Sequence, residues 1–286
     1  MKIVYFKKND QPALGILTVN GILDVDAYQQ FNGQKMISGH NLKKSEIKEL
    51  KNIIEDALLD DRFFLDESSL TFCPCSPKPS KIICIGLNYR KHAAESGMTV
   101  PTVPVVFTKY NNTLINYGND VPLGKVGEQF DYEVELGVIT GEKCKDVPKS
   151  AALDYVFGYW VANDMSCRDL QFRTCQWLMG KSLNYFLPLG KYLVKNDEVE
   201  DVQQLKLTCT LNGEQRQNST TADMIFTVAE IIEDLSKHMT LEPGDLILTG
   251  TPEGVIMGMA EKKWLKQGDI VTVEIDKLGS TTNMMI

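Results

Sequence analysis

Three acidic residues alternate in the segment Asp131-Tyr132-Glu133-Val134-Glu135-Leu136, and a fourth, Asp164, follows further along the chain. Alternate side chains of a β-strand share a face. Asp131, Glu133 and Glu135 would therefore project together while Tyr132, Val134 and Leu136 bury the other side. Carboxylates in such a row repel one another unless a proton or a cation compensates them, and their oxygens are the ligands hard divalent ions prefer. On spacing alone, a solvated acidic edge strand fits as well as a cation site. Asp164 favours the cation site. It closes the apolar run Tyr155 to Ala162, which reads as a buried strand, and strand ends are where such folds place ligands and catalysts.

The elements that must position these acids lie in a chain of 286 residues, long enough for one large domain with a small appendage. A net charge of -8 and a pI near 5.1 argue against nucleic acid or an anionic membrane as the main partner, since either would call for a basic stripe. The seven cysteines are odd in number and include no C-x-x-C pair, so reduced thiols are expected. Cys167 and Cys175 flank Arg168 without a histidine in motif context, and buried structural thiols are the expected reading for both. Residues Met1 to Lys8 lack the apolar stretch of a signal peptide, and no segment has the roughly 18 apolar residues of a membrane span; the expected location is the cytoplasm.

Residues 1–72 read as a small α+β unit. Short strands are predicted at Lys2 to Phe6, Ala13 to Val19 and Ile22 to Val25, followed by an amphipathic helix from Ser45 to Leu59. The proline-rich segment 73–80 is a linker, and the main domain runs over 81–286. Its predicted strands cluster around Ile82 to Ile85, Val103 to Phe107, Tyr132 to Ile139, Tyr155 to Ala162, Leu205 to Leu211, Leu246 to Thr249 and Ile270 to Ile275, with one clear helix at Thr227 to Lys237. Strands outnumber helices and do not alternate with them, which gives a mixed α/β, mainly β architecture rather than a doubly wound sheet or a barrel of alternating units. His92 and Glu95, three apart, share a face if that piece is a helical turn. His40 and His238 fit no motif and read as packing or surface residues.

From residue 81 onward the chain resembles the fumarylacetoacetate hydrolase family. The resemblance rests on Gly86-Leu87-Asn88-Tyr89-x-x-His92-Ala93-x-Glu95, the Asp131 to Leu136 segment, Ala162-Asn163-Asp164-x-Ser166-x-Arg168-Asp169-x-Gln171, Gly180-Lys181-Ser182, and Thr249-Gly250-Thr251-Pro252. It implies a rolled β core preceded by a variable N-terminal piece, and commonly a homodimer. By the same resemblance Glu133, Glu135 and Asp164 are the metal ligands, with Mg²⁺ or Mn²⁺ expected and Ca²⁺ a further option. His92 and Glu95 correspond to the acid/base pair and Lys181 to a catalytic lysine beside the developing oxyanion. Arg168, Gln171 and Thr251 correspond to substrate contacts.

The implied reaction is cleavage of a C–C bond in a small anionic keto acid, of acylpyruvate or fumarylpyruvate type, with the electrons left behind as an enolate on the metal. Decarboxylation of an oxaloacetate-type diacid and isomerisation or tautomerisation of hydroxydienoates use the same chemistry and stay open. A catalytically silent binding scaffold is the non-enzyme alternative, and retention of His92, Glu95 and Lys181 weighs against it. The family pattern is broken at Asn184 and Lys191, which bears on the substrate more than on the metal. A dinucleotide site and a serine-hydrolase elbow are both missing as motifs.

Overall fold

The run Ile3-Val4-Tyr5-Phe6 is buried at every position, as a strand must be when both of its faces are covered. The computed structural model describes residues 1–37 and 42–286, and His40 lies outside the described residues. The first part of the chain forms β1 (Lys2–Lys8), β2 (Gln11–Thr18), β3 (Gly21–Asp24), α1 (Val25–Phe31), α2 (Ile47–Ala57) and β4 (Phe64–Leu65). Next come β5 (Ile82–Gly86), α3 (Arg90–Glu95), β6 (Val105–Lys109), β7 (Phe130–Asp131), β8 (Val134–Thr140), β9 (Val156–Asn163) and β10 (Ser166–Cys167). The chain continues through α4 (Arg168–Gln171), α5 (Leu178–Lys181), β11 (Leu193–Lys195), β12 (Lys206–Leu211), β13 (Glu214–Thr220) and α6 (Val228–His238). It ends with β14 (Leu246–Leu248), β15 (Ile270–Ile275) and β16 (Gly279–Met284).

A ten-stranded sheet in the order β4-β3-β2-β1-β11-β9-β8-β14-β5-β6 forms the spine, and only the β14–β5 pairing in it is parallel. A second sheet, β13-β12-β15-β16, supplies Leu207, Val271 and Val273 to a core shared with Val134, Leu136 and Val161 of the large sheet and with Ile231 and Ile232 of α6. The opposite face of the large sheet buries Trp160, Phe157 and Leu248 with Leu50 and Ile53 of α2. The fold is thus mixed α/β and strand-dominated.

Two features depart from the sequence reading. The N-terminal strands extend the large sheet, with Lys2 opposite Val194 and Ile3 opposite Leu193, because β1 has an apolar side chain for each face. The strand expected to run through Asp131 and Glu133 is interrupted: β7 stops at Asp131 and β8 starts at Val134. Side chains take the backbone N–H groups in between. Tyr132 N donates to Asp131, Glu133 N to Asn163 Oδ1 and Val134 N to Gln217 Oε1.

Candidate active site

β8 and β9 pair antiparallel with Val134 opposite Asn163, so Glu133 at the entry of one strand meets Asp164 at the exit of the other. Asp164 N donates to Glu133 O at 2.9 Å. Glu133, Glu135 and Asp164 each offer a carboxylate oxygen within 4.8 Å of the others, and all three residues are buried. Asp131 does not join them, which corrects the expected row of three. The break after β7 turns it to the loop 256–257, where Oδ1 accepts from Ile256 N at 2.8 Å and Oδ2 from Met257 N at 3.0 Å.

Three cations surround the acids. Gly180 packs so tightly on α4 that a Cβ there would run into the backbone of Gln171 and Cys167, and this approach delivers Lys181 to the cluster. Lys181 Nζ donates to Glu133 Oε2 at 2.6 Å and to Asp164 Oδ2 at 2.8 Å. Arg168 Nη2 lies 2.7 Å from Glu133 Oε1 and 2.8 Å from Asp131 Oδ2, while its Nε donates to Asp131 and its Nη1 to Gln171 Oε1. Lys109, at the end of the edge strand β6, donates to Asp164 Oδ1 at 2.6 Å and to Met165 O at 3.1 Å. Glu135 has no cation within ion-pair distance among the described residues. Its Oε2 accepts from Gly250 N at 2.8 Å, at a bend where Gly250 takes a φ of +99° that side-chain-bearing residues avoid.

The charges follow from these contacts. Burial alone would raise the Glu133 carboxyl, but Lys181 and Arg168, with His92, outweigh it and hold the group down at about 2. At Glu135 burial acts together with the Asp164 and Glu133 charges, and its pKa lies well above the ordinary carboxylate range. Burial would lower Lys181, yet Asp164 and Glu133 push it up to about 12. Among the described residues, the ion pairs of Asp131, Glu133 and Asp164 are with Lys109, Arg168 and Lys181, and none of these pairs reaches Glu135. An all-oxygen donor set short of positive charge fits a hard divalent ion.

His92 Nδ1 is 2.9 Å from Glu95 Oε1, and Gly254 N donates to Glu95 Oε2 at 2.9 Å. His92, Glu133, Glu135, Arg168, Gln171, Lys181 and Thr251 line one cleft, walled by Phe107, Phe172, Trp177, Met98 and Met257. Asp164 and Glu95 stand behind this lining. The Thr251 hydroxyl is committed to the scaffold, donating to Val134 O at 3.0 Å and accepting from Gln217 Nε2 at 2.9 Å. Asn88 braces the start of α3, with Nδ2 donating to Thr249 O at 2.7 Å and Oδ1 accepting from Phe226 N.

Other residues marked in the sequence fall elsewhere. Lys191 pairs with Glu67 at 2.7 Å over the Phe72 and Tyr117 rings, and Asn184 accepts from Asn112; neither lines the cleft. Cys167 is buried, with Sγ 3.0 Å from Asp169 Oδ1, whereas Cys175 is exposed, contrary to expectation. Exposed His238 bonds to Asp234 O on α6. Gly86 is a close-approach point against the Trp177 ring. Lys109 and Gln217 escaped the sequence reading, and their only signal was a polar residue inside or ending a strand.

With this geometry in view, comparison with known proteins is direct. The family profile described as "Fumarylacetoacetate (FAA) hydrolase C-terminal" matches residues 81–286, and the chain belongs to the fumarylacetoacetate hydrolase family. It is 35% identical to "Oxaloacetate tautomerase fahd2, mitochondrial" of Xenopus laevis, over 100% of this chain and 90% of that one. It is 46% identical to "Oxaloacetate tautomerase YisK" of Bacillus subtilis, over 73% of this chain and 71% of the relative. Among solved structures, maleylpyruvate hydrolase from Sphingobium sp. SYK-6 in complex with manganese(II) and pyruvate superposes with a TM-score of 0.78 at 27% identity, covering 100% of this chain and 99% of that one. No helix among the described residues is long and apolar enough to cross a membrane.

Proposed function

We propose that this protein is a Mg²⁺- or Mn²⁺-dependent enzyme of small 2-oxo acids, and that its reaction is keto–enol proton transfer on an oxaloacetate-type diacid. One observation carries the reading: the buried His92, paired with the half-buried Glu95 behind it, lines the cleft beside the acid cluster. Keto–enol interconversion needs a base that takes a proton from carbon and a donor that places one on the oxygen, and no attacking water. The names of the two tautomerase relatives support the same order of preference.

In this proposal Glu95 accepts the Nδ1 proton of His92 and so leaves Nε2 to take the proton from the carbon next to the carbonyl. Glu133, Glu135 and Asp164 would hold the ion, which when bound polarises the substrate oxygens and makes that C–H more acidic. Arg168, oriented by Asp131 and Gln171, meets the substrate carboxylate with its fixed positive edge. Lys181 supplies a proton-bearing cation beside the oxygen where negative charge develops. The walls of Phe107, Phe172 and Trp177 keep bulk water away. We further propose residues 81–286 as the catalytic unit with 1–72 as an appended α+β unit joined by 73–80, a homodimeric assembly and a cytoplasmic location.

C–C hydrolysis of an acylpyruvate is the second reading. It is favoured by the fold-level likeness to the maleylpyruvate hydrolase and requires, in addition, a water held for attack. The test is to add oxaloacetate, and in a separate arm an acylpyruvate, to the Mn²⁺- or Mg²⁺-loaded protein and follow both the enol absorbance and pyruvate release, with a chelated control. Accelerated interconversion without pyruvate is expected. Pyruvate released from an acylpyruvate, with oxaloacetate interconversion unchanged, rejects the tautomerase reading in favour of hydrolysis.

A further inference from the structure

Lys109 is a buried lysine whose ammonium is committed to one acid of the cluster. Lysine is rarely buried without a partner, and this one has a side chain of 0% exposure at the end of an edge strand, where a solvated position was close by. Its Nζ takes Asp164 Oδ1 at 2.6 Å and is steadied by Met165 O. It does not line the cleft, so its effect passes through Asp164.

The other two acids are treated alike. Arg168 lies 2.7 Å from Glu133 Oε1, and Gly250 N donates to Glu135 Oε2 at 2.8 Å. Each carboxylate therefore has one oxygen held by a partner outside the cleft lining or by Arg168, while the second oxygens of Glu133 and Asp164, Oε2 and Oδ2, lie on the cleft side and share the ammonium of Lys181, which lines the cleft. Ca²⁺ gathers six to eight oxygens and commonly uses carboxylates through both oxygens, whereas Mg²⁺ takes six short contacts, several of them to water. Three carboxylates restricted to one oxygen apiece serve the smaller ion and leave the larger one under-coordinated.

We infer that Lys109 is a positioning residue that selects the ion: by holding Asp164 Oδ1 it keeps that carboxylate monodentate and biases the site toward Mg²⁺ and Mn²⁺ against Ca²⁺. The inference rests on the divalent-cation reading proposed above. Removing the ammonium frees Asp164 Oδ1 to join the ion as a second ligand, which favours Ca²⁺ most because it has coordination positions to fill. Arg168 and Gly250 N play the same part for their acids, but Arg168 also faces substrate, and Lys109 is the one anchor whose replacement leaves the cleft lining intact.

The experiment is calorimetric titration of chelator-stripped protein with Mn²⁺, Mg²⁺ and Ca²⁺, comparing wild type with Lys109→Met, which keeps the unbranched stem of the side chain, one atom shorter, without its charge. Wild type is expected to bind Mn²⁺ at least about tenfold more tightly than Ca²⁺, and Lys109→Met to reduce that ratio by about fivefold or more, mainly through tighter Ca²⁺ binding. Thermal unfolding with and without each ion gives a second readout independent of activity. A wild type that binds Ca²⁺ as tightly as Mn²⁺, or a folded Lys109→Met with an unchanged ratio, overturns the inference and leaves the cation reading standing. A wild type that binds none of the three ions overturns both. If Lys109→Met does not fold, Lys109→Gln is titrated in its place with the same expectations, since a neutral amide also releases Asp164 Oδ1 from the ammonium.

Discussion

His92 Nδ1 lies 2.9 Å from Glu95 Oε1, one turn apart on the short helix α3, with both side chains largely out of solvent. A carboxylate in that position fixes the imidazole tautomer, and the proposed proton transfer depends on it. His92→Ala is expected to lower kcat by roughly 10² to 10⁴. Glu95→Gln, which keeps a hydrogen-bonding side chain, should cost less. A kcat for His92→Ala within a factor of about three of wild type, measured on the reacting substrate with saturating ion, rejects the general-base role.

Glu135 offers a sharper separation of stability from ion binding. As the buried acid without a cationic partner, it is raised well above the usual range by burial and by the Asp164 and Glu133 charges. Glu135→Gln removes that liability. In the ion-free protein the Tm should stay equal or rise, while the Tm increase on adding Mn²⁺ should largely vanish. A lower ion-free Tm with an undiminished Mn²⁺ response contradicts the assignment.

Asp131 has the opposite character. It accepts from Tyr132, Ile256 and Met257 backbone N–H groups and pairs with Arg168, all inside the fold. Asp131→Asn leaves Arg168 with one fewer counter-charge and should cost about 3 kcal/mol or more, read as a lower denaturant midpoint. The variant should also raise KM, because Arg168 loses the partner that aims it.

A pH-dependent contribution comes from the start of α6, where Thr227 and Glu230 cap one another. The bond from Lys149, followed by those from Thr227, holds Glu230 down at about 2. Because the folded pKa is depressed, this stabilisation is complete above the unfolded value of 4.5 and is lost as pH falls toward 2. Glu230→Gln is expected to cost about 1 kcal/mol at neutral pH, a modest figure because the group is partly solvated. Unfolding curves for wild type and variant should converge as the pH is lowered through this window. A gap that persists at pH 2 assigns the effect to something other than the charge.

Much of this fold was legible in periodicity. The apolar run Tyr155 to Ala162 predicts β9, and Val228, Ile231, Ile232 and Leu235 predict α6, both close to their observed bounds. The acid cluster was legible because carboxylates at strand spacing and a strand end are costly to bring together without a purpose. What escaped has physical causes. The interruption between Asp131 and Val134 arises from side chains of Asn163 and Gln217, distant in sequence, taking over ladder hydrogen bonds. Lys109 ends a β-branched strand as any solvated lysine would, and only the pairing of β6 at the sheet edge brings it to Asp164. The continuity of β1 with β11 was latent in four successive apolar residues, a pattern of double-sided burial that a free-standing unit does not need.

The two oxygens of Glu95 serve different masters: one faces His92, and the other receives Gly254 N from the loop after Thr251-Pro252. The side chain is therefore both the latch that fastens α3 to the loop and the guide that sets the imidazole. Any displacement of α3 that breaks the latch frees Glu95 to rotate and leaves His92 without a fixed partner. In the proposed proton transfer, the contact that fastens α3 to the loop and the contact that orients the base therefore belong to one side chain.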